Sequence, residues 1–436
     1  MAAVLIHWFR TDLRLHDHPA LLRSVARCRR EGLSLLPVAW HSPSVPVDTR
    51  WGFARVGEHR RAFRHQALTG LAKRLRGLGS DLWVLDDATA GPLLELARRA
   101  GATHVVAEAI DAPEELAEVR TLQDGGLHVD TVWQSSLLAP DDLPWLQGRV
   151  PDVFTAFRQG VERAQVQVPA PLPAPTQLPP WPDHLERPPS PCAPPLSAGA
   201  TDERSSFPYG SSAWQGHEAA ALDHLQRYLA AGHPHRYKAT RNALSGRDFA
   251  SHWSPWLAVG ALSARQAMAA LRAFENERGA NEGSYWLWFE LLWRDHFRFV
   301  MRQHGARLFA ARGLSGDRTP QACRHDPRAF ARWCEGRTGQ PLADAAMREL
   351  RHTGYLSNRL RQIVASALIH ELGGDWRAGA SWFEHCLIDF DVHSNQGNWA
   401  YIAGVGTDPR GGRRFNLDKQ TQDHDPDGSY RRRWTA

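Results

Sequence analysis

The sequence has few cysteines and methionines, very few lysines, and no long apolar run. Its five cysteines, at positions 28, 192, 323, 334 and 386, form no CxxC pair and no regular framework. This pattern favours a reducing compartment and argues against a disulfide scaffold or a zinc site. No stretch approaches the roughly 18 consecutive apolar residues of a membrane span. We therefore expect a cytoplasmic protein without a metal site. We also expect it to be a monomer.

The N-terminus also lacks the features of a secretory signal. No basic region precedes its apolar run "VLIHWF", which is short and meets Arg10 at once. We interpret this run as a first β-strand. The chain ends at Ala436, so we expect no long signalling extension.

The basic residues that are present are almost all arginine. The formal charge is +5 and the isoelectric point about 9.1, while lysine occurs only at positions 73, 238 and 419. Arginine binds phosphate bidentately and stacks on bases, so a nucleic-acid partner is one option. The charge is modest, however, and a composition rich in Ala, Arg, Gly and Pro is typical of a GC-biased genome. The sequence has 18 tryptophans but only 7 tyrosines. One interpretation is that the tryptophans fill cores. The other is that some of them stack on flat ligands or carry electrons.

Residues 1–135 predict an α/β domain with a parallel, Rossmann-like sheet. Five strand-length apolar runs alternate with helical segments: "VLIHWF", "LSLLPVAW", "DLWVL", "THVVAEA" and "LHVDTVW". Such alternation places a parallel sheet between two layers of helices. The segment "GLGSDL" follows a helix and lacks a third glycine, so it is no dinucleotide-binding loop.

Two further regions follow this domain. Residues 136–213 form a connector whose second half is Pro-rich and aperiodic, so it either wraps along the surface or is partly mobile. Residues 214–436 contain helix-length segments with apolar residues three and four apart, which predicts an all-α domain.

The segment "YWLWFELLWRDHFRF" places a carboxylate among aromatic residues. Glu290, Trp293 and Phe297 share one helical face, and Arg294 lies four residues after Glu290. One interpretation is an intrahelical Glu–Arg pair worth about 0.2–0.5 kcal/mol. The other is a functional carboxylate, because burial among apolar side chains costs several kcal/mol without a partner.

The stretch "DFDVHSNQGNWAY" is polar although it follows an apolar helix. Asp, Asn and Gly dominate turns, so a surface loop is one interpretation. The other is a set of fixed polar groups around a ligand: Asp389 is a candidate anion for Arg361, which shares a helical face with Asn358. In that case Gly397 lets the backbone approach something flat.

Hydroxyl groups and a cation precede a helix expected near Ser254. Tyr237, Arg241, Ser251 and Ser254 lie in "YKATRNALSGRDFASHWSPW", and Ser followed by Pro is typical of an N-cap and a first helical residue. The segment is either a plain capped helix or a phosphate site.

Taken together, the segments resemble the cryptochrome/photolyase family over nearly the whole chain. The opening "HWFRTDLRLHDHPAL" is similar to that family's first strand and turn, and "YKATRN", "SHWSPWLAVGALSARQ", "FELLWRDHFRF", "TGYLSNRLRQ" and "DFDVHSNQGNWAYIAGVGTDPR" follow its flavin-binding domain in order. "RVPDVFTAFRQGVE", "RGANEGSYW" and Tyr401 in place of a second tryptophan are similar to the DASH-type members. His252–Trp253 departs from their usual Lys–Phe.

The resemblance implies that the helical domain binds FAD. It assigns nine residues to the flavin cavity: Tyr237, Ser251, Ser254, Arg294, Asn358, Arg361, Asp389, Asp391 and Asn395. The three hydroxyl residues would hold the phosphates and the ribityl chain. Arg361 and Asp389 would pair beside the isoalloxazine ring, with Asp391 on its pyrimidine side and Asn395 near N5.

The resemblance also implies light-driven repair of cyclobutane pyrimidine dimers, with single-stranded DNA as the favoured substrate. Trp293 would stack on the extruded dimer and Glu290 would hydrogen-bond its base edge. Gln362 and Tyr401 would complete that wall, and Arg410 would contact phosphates. The alternatives are a blue-light photoreceptor without significant repair and a flavin-binding structural protein.

Electron supply is the point where the sequence departs most from the family. Trp399 and Trp376 match the inner two members of a three-tryptophan chain, but Cys323 occupies the outer, solvent-facing position. Trp333 is a candidate substitute there, and we expect slow photoreduction. A folate antenna, methenyltetrahydrofolate, would lie near the interdomain cleft, with Glu162 as a candidate contact.

Overall fold

The N-terminal part of the chain folds around a parallel sheet. This computed structural model describes residues 3–41, 48–86, 90–145, 149–190, 194–315 and 325–435. The strands are β1 (Val4–Phe9), β2 (Ser34–His41), β3 (Trp83–Asp86), β4 (Ala102–Glu108) and β5 (His128–Val132). They lie in the order β3-β2-β1-β4-β5, and every neighbouring pair is parallel. The sheet that the apolar runs predict is confirmed.

Both faces of the sheet are covered, so β1 is apolar along its whole length. Leu5 and Phe9 pack into one hydrophobic core, while Ile6 and Trp8 pack into another on the opposite face. The covering helices are α1 (Pro19–Glu31), α2 (Glu58–Gly77), α3 (Gly91–Ala100) and α4 (Pro113–Asp124). A strand between two helical layers alternates between two cores, which explains the continuous apolar run.

The Pro-rich connector wraps along the surface of the sheet domain. It follows the 3₁₀ turn Pro140–Asp142 and α5 (Phe154–Arg163). Leu178, Trp181 and Leu185 are buried, and the Trp181 ring is parallel to that of Trp83 with centroids 6.5 Å apart. Of the two sequence interpretations, the structure supports the wrapped segment. The limits 1–135, 136–213 and 214–436 stay a proposal for the domain boundaries.

In the described residues of the C-terminal part, all the regular secondary structure is helical. Its α-helices are α6 (Glu218–Ala230), α7 (Tyr237–Thr240), α8 (Ser254–Val259), α9 (Ala264–Arg278), α10 (Glu282–His304), α11 (Pro327–Cys334), α12 (Pro341–Thr353), α13 (Asn358–Ser366), α14 (Trp376–Cys386), α15 (Val392–Ile402), α16 (Leu417–His424) and α17 (Ser429–Arg433). Short 3₁₀ turns lie at His233–Arg236 and Gly305–Phe309, and a π-helical turn at Ala367–Glu371 extends α13. Two further 3₁₀ turns, Ala198–Ala200 and Ser212–Trp214, lie at the end of the connector. Within the described ranges, no helix is long and apolar enough to cross a bilayer.

Candidate functional site

A deep cleft lies between the helices of the C-terminal part. It encloses about 1390 Å³ of space, its open mouth included, and α7, α8, α10, α13 and α15 contribute to its walls. The lining includes all nine side chains that the resemblance assigns to the cofactor: Tyr237, Ser251, Ser254, Arg294, Asn358, Arg361, Asp389, Asp391 and Asn395. Glu290, Gln362 and Trp399 line the same cleft, whereas the lining does not include Trp293, Trp376, Tyr401 or Arg410.

An arginine–aspartate pair with a buried carboxylate lies in the wall of the cleft. Arg361 donates to Asp389 Oδ2 at 2.8 Å, and its Nε donates to the carbonyl of Leu356 at 2.8 Å. The Ser254 hydroxyl donates to the same carboxylate oxygen at 2.7 Å. The Asp389 side chain is only 1% exposed. We call Arg361 and Asp389 the inner pair.

One oxygen of this buried carboxylate has no partner within the described ranges. Asp389 Oδ1 accepts no hydrogen bond from any residue that the structure describes. A buried acceptor without a donor costs about 1–3 kcal/mol, so such an atom invites a donor from a ligand.

Asp391 lies at the start of α15 and is held as a carboxylate. Its Oδ1 accepts from the backbone N–H of Ser394 at 2.8 Å, which caps the helix. Burial alone would raise the pKa of Asp391, but the neighbouring His393, with Arg294 and Arg298, holds it well below its usual range. The cleft therefore keeps a fixed negative charge at the start of α15.

A second arginine–carboxylate pair lies on a more accessible wall. Arg241 donates to Glu290, and its guanidinium lies over the Trp286 ring at 4.1 Å. The Glu290 side chain is 31% exposed and that of Arg241 is 22% exposed. Burial raises the pKa of Glu290, and Arg241 partly opposes that rise. We call Arg241 and Glu290 the outer pair.

The intrahelical interpretation of Glu290 is wrong. Arg294 turns away from it and donates to the carbonyl of Ser135, with Asp391 at 3.8 Å. The partner of Glu290 comes instead from the segment after α7, 49 residues earlier in the chain. Charge spacing within one helix gives no signal for such a contact.

The expected dimer-holding aromatics form a wall outside the cleft lining. Trp293 stacks on Phe154, with centroids 3.8 Å apart and an interplanar angle of 12°. Tyr401 meets the Trp293 ring edge-on at 5.9 Å, and Arg413 donates to the Tyr401 hydroxyl at 2.6 Å. Trp293 and Tyr401 therefore lie together, while Arg410 is exposed.

Two details of the sequence interpretation need correction. Ser254 is not an N-cap, because α8 begins at Ser254 itself and its hydroxyl bonds Asp389 instead. The phosphate-site interpretation of this segment stays a prediction. The flat group beside Gly397 is the Phe297 ring, since an added Cβ would lie 2.2 Å from Phe297 Cδ1.

The stretch "DFDVHSNQGNWAY" is not a surface loop. From Val392 it forms α15, and Asp391 caps that helix. Trp399 is 2% exposed, and its ring approaches α14 so closely that a Cβ on Gly379 would lie 2.3 Å from its Cη2 atom. Trp376 lies one turn before Gly379 and is wholly buried.

Trp333 does not take the solvent-facing position that was considered for it. It is wholly buried, and its ring centroid lies 6.2 Å from that of Trp399. Cys323 lies outside the described residues. Glu162 accepts hydrogen bonds from Arg158 at 2.6 Å and from Tyr285 at 2.8 Å, on an exposed face of α5 and α10.

Other cleft residues were not identified from the sequence as site residues. His252 has a left-handed backbone (φ 54°), its Nδ1 lies 2.9 Å from the Tyr355 hydroxyl, and both side chains line the cleft. Burial lowers the pKa of His252 to about 3, so its ring is neutral. The only sequence signal for His252 was that DASH-type members usually have lysine at this position. That difference did not indicate the contact with Tyr355.

The fold and this cleft define the class of protein, a two-domain flavoprotein of photolyase type. The family model for DNA photolyase matches residues 5–176, and the model for the FAD binding domain of DNA photolyase matches residues 286–436. A cryptochrome DASH from Synechocystis sp. is 41% identical over 98% of this chain and 86% of its own length.

Solved structures agree with these sequence matches. The crystal structure of a Synechocystis sp. cryptochrome superposes with a TM-score of 0.90 at 40% identity, covering 100% of this chain and 89% of the other. A class III photolyase from Agrobacterium tumefaciens gives a TM-score of 0.78 at 28% identity, covering 100% of this chain and 86% of the other. The chain belongs to the cryptochrome/photolyase family and, within it, to the DASH-type cryptochromes.

Proposed function

We propose that this protein is a blue-light-dependent, FAD-dependent photolyase that repairs cyclobutane pyrimidine dimers, preferentially in single-stranded DNA. The observation that carries the proposal is the position of Glu290. This carboxylate lines the cleft of the cofactor residues, and Trp293 lies one helical turn further along α10. A protein that only sensed light would have no need of a paired acid and indole at this place.

The cleft fits FAD by the chemistry of its walls. Tyr237, Ser251 and Ser254 would hold the phosphates and ribityl chain, with Arg294 and Asn358 beside them. The free oxygen of Asp389 would accept a hydrogen bond from the ring system, because it has no partner among the described residues. Asp391 and Asn395 would line the ring on its pyrimidine side and near N5.

The substrate side combines stacking with hydrogen bonding. Trp293 would stack on a flipped dimer, and each base–aromatic contact is worth about 1–3 kcal/mol. A dimer is already poorly paired, so extruding it costs less than extruding a normal base. Gln362 and Tyr401 would complete the wall, and Arg410 would bind a phosphate.

The chemistry is electron transfer, and the chain provides position and electrostatics. When bound and reduced, FAD supplies the light-excited electron that splits the cyclobutane ring and is then returned. Glu290, whose pKa burial raises, would donate a hydrogen bond to a base carbonyl while that base carries negative charge. Trp399 and Trp376 would carry electrons that keep the cofactor reduced.

A folate antenna, methenyltetrahydrofolate, completes the proposal, with Glu162 as its contact. The folate would have to compete with Arg158 and Tyr285 for that carboxylate. Mass spectrometry of the material released by denaturing the purified protein tests this part separately.

Repair under blue light on matched oligonucleotides tests the main proposal. The chemically reduced, FAD-loaded protein should remove dimers from a single-stranded oligonucleotide faster than from the same sequence in a duplex. A dark sample and an undamaged oligonucleotide are the controls. If the protein has a normal flavin content but repairs neither substrate, the photoreceptor function replaces the one proposed.

A further inference from the structure

A line of ring contacts leads from the cleft into the protein through Trp333. Trp399 lines the cleft, and its ring lies 6.2 Å from that of Trp333 at an interplanar angle of 76°. The indole N–H of Trp333 donates to the carbonyl of Val364 at 3.0 Å, which fixes the ring. Trp333 is therefore an oxidisable side chain in contact with Trp399.

The same line continues to a tryptophan at the surface. The Trp333 ring is stacked 5.7 Å from Phe330, which lies 5.3 Å from His325, and His325 lies 4.7 Å from Trp51. Trp51 is partly exposed and lines a second, open cleft. The line thus ends where a small molecule in solution can reach an indole ring.

We propose that electrons reach Trp399 from Trp51 through Trp333, along a branch separate from Trp376. The proposal rests on the FAD-binding part of the proposed function and not on repair. Trp376 is wholly buried, and its indole N–H is bound to the carbonyl of Ala311 at 3.2 Å. A buried ring of this kind needs a further donor to exchange electrons with the solution.

The electron balance of this branch is simple. Trp399 gives one electron to the light-excited, oxidised cofactor, Trp333 replaces it, and Trp51 replaces the electron of Trp333. The oxidised Trp51 releases its indole proton to water. A thiol in solution then returns a hydrogen atom to Trp51, and two thiyl radicals join as a disulfide. Phe330 and His325 act only as bridges, because their rings are harder to oxidise than an indole.

The surroundings of Trp51 suit the end of such a branch. The guanidinium of Arg50 lies over its ring at 4.3 Å, and its charge opposes the radical cation, so oxidation of Trp51 has to be completed by loss of the indole proton to water. Trp382 lies on a side branch, since Phe53 contacts both Phe330 at 6.1 Å and Trp382 at 5.1 Å. The Trp382 indole nitrogen is buried without a partner among the described residues, so its proton has no path out. Trp382 is therefore a matched control.

Photoreduction of the full-length, FAD-loaded protein tests the branch. Parent, Trp333→Phe, Trp51→Phe and Trp382→Phe proteins are illuminated with blue light in dithiothreitol. We expect equal FAD content in all four, loss of most of the photoreduction rate in the first two variants, and the parent rate in Trp382→Phe. Because Trp333 is buried and its variant can fail to fold, surface residue Trp51 supplies the independent readout.

A second measurement locates the oxidised side chain. Without thiol, illumination should add oxygen to the Trp51 peptide of the parent, as seen by mass spectrometry, and Trp333→Phe should abolish this product. Parent-like photoreduction in Trp51→Phe, or oxidation at Trp382 instead, would overturn the branch. Repair by chemically reduced protein is scored separately, so a failed repair assay leaves this test intact.

Discussion

The inner and outer pairs use the same two chemical groups in different surroundings. The carboxylate of the inner pair, Asp389, is 1% exposed and also accepts from Ser254, whereas Glu290 of the outer pair is 31% exposed. Removing one partner of a buried pair costs about 3–5 kcal/mol, and this cost falls with exposure toward about 0.2–1 kcal/mol for a pair at the surface. Exposure, rather than residue type, therefore makes one pair a fixed wall and leaves the other able to exchange partners.

The largest effect should come from breaking the inner pair. Asp389→Asn keeps the side-chain shape but leaves Arg361 without a counter-charge, so we expect a loss of about 3–5 kcal/mol in the free energy of unfolding. FAD content should fall at the same time. Urea unfolding and the ratio of flavin to protein absorbance measure both.

An exposed pair provides the matched control for that change. Asp223→Asn removes the partner of Arg227 on α6, where the side chains are 61% and 50% exposed. This variant should stay within about 1 kcal/mol of the parent and retain its FAD. Similar losses in the two variants would contradict the role of burial.

A third carboxylate extends the comparison to a buried acid that pairs with no arginine in the part of the chain that the structure describes. Glu349 on α12 is 1% exposed and accepts from the Tyr430 hydroxyl of α17. Burial raises the pKa of Glu349 to about 8. Between the ordinary pKa of a glutamate and this value, the unfolded chain is ionised while the folded protein is not. This group therefore lowers the stability as pH rises through that range, by at most roughly 5 kcal/mol.

Glu349→Gln should remove that pH dependence. The two proteins will also differ in free energy of unfolding by an amount that does not depend on pH. On top of this constant difference, we expect the variant to gain a few kcal/mol relative to the parent from about pH 4.5 to pH 8. Urea unfolding of both proteins across this range gives the slope of the difference. An unchanged difference between acid and alkaline pH would show that Glu349 ionises normally in the folded protein.

Features set by local patterns could be predicted from the sequence. The run "VLIHWF" became β1, and the spacing of Asn358 and Arg361 placed both on the wall of the cleft. The pairing of Arg361 with Asp389 was also expected, because an arginine entering a core needs an anion. Each of these inferences depends on a pattern within one helix or one strand, or on the rule that a single buried charge needs a counter-ion.

Contacts made between distant segments were the ones missed. Glu290 had a cation four residues away, yet it pairs with Arg241 from another segment. Ser254 had the local pattern of a cap, yet its hydroxyl binds a residue 135 positions later. In both cases the side chain bonds a residue from a distant segment and not the local partner. Spacing along the chain does not indicate which of the two partners a side chain will bond.

Truncating the outer carboxylate should affect repair and leave the cofactor in place. Glu290→Ala removes a hydrogen bond to the substrate, and bonds to charged groups are worth about 1.5–3 kcal/mol. We therefore expect the repair yield per absorbed photon to fall while FAD content stays at the parent level. Equal quantum yields for variant and parent on a dimer-containing oligonucleotide would count against this role.

The smallest effect should come from removing the cation of the outer pair. Arg241 opposes the rise that burial produces in the pKa of Glu290, so Arg241→Met should raise that pKa further. If protonated Glu290 donates to the base, repair is lost as pH rises through its pKa, and the variant should show this loss at higher pH. Arg241→Lys retains the charge and should restore the parent profile. Repair that instead rises with pH, with its midpoint at higher pH in the methionine variant, would mean that the ionised form of Glu290 holds the substrate, because a raised pKa then extends the inactive range upward from the acid side.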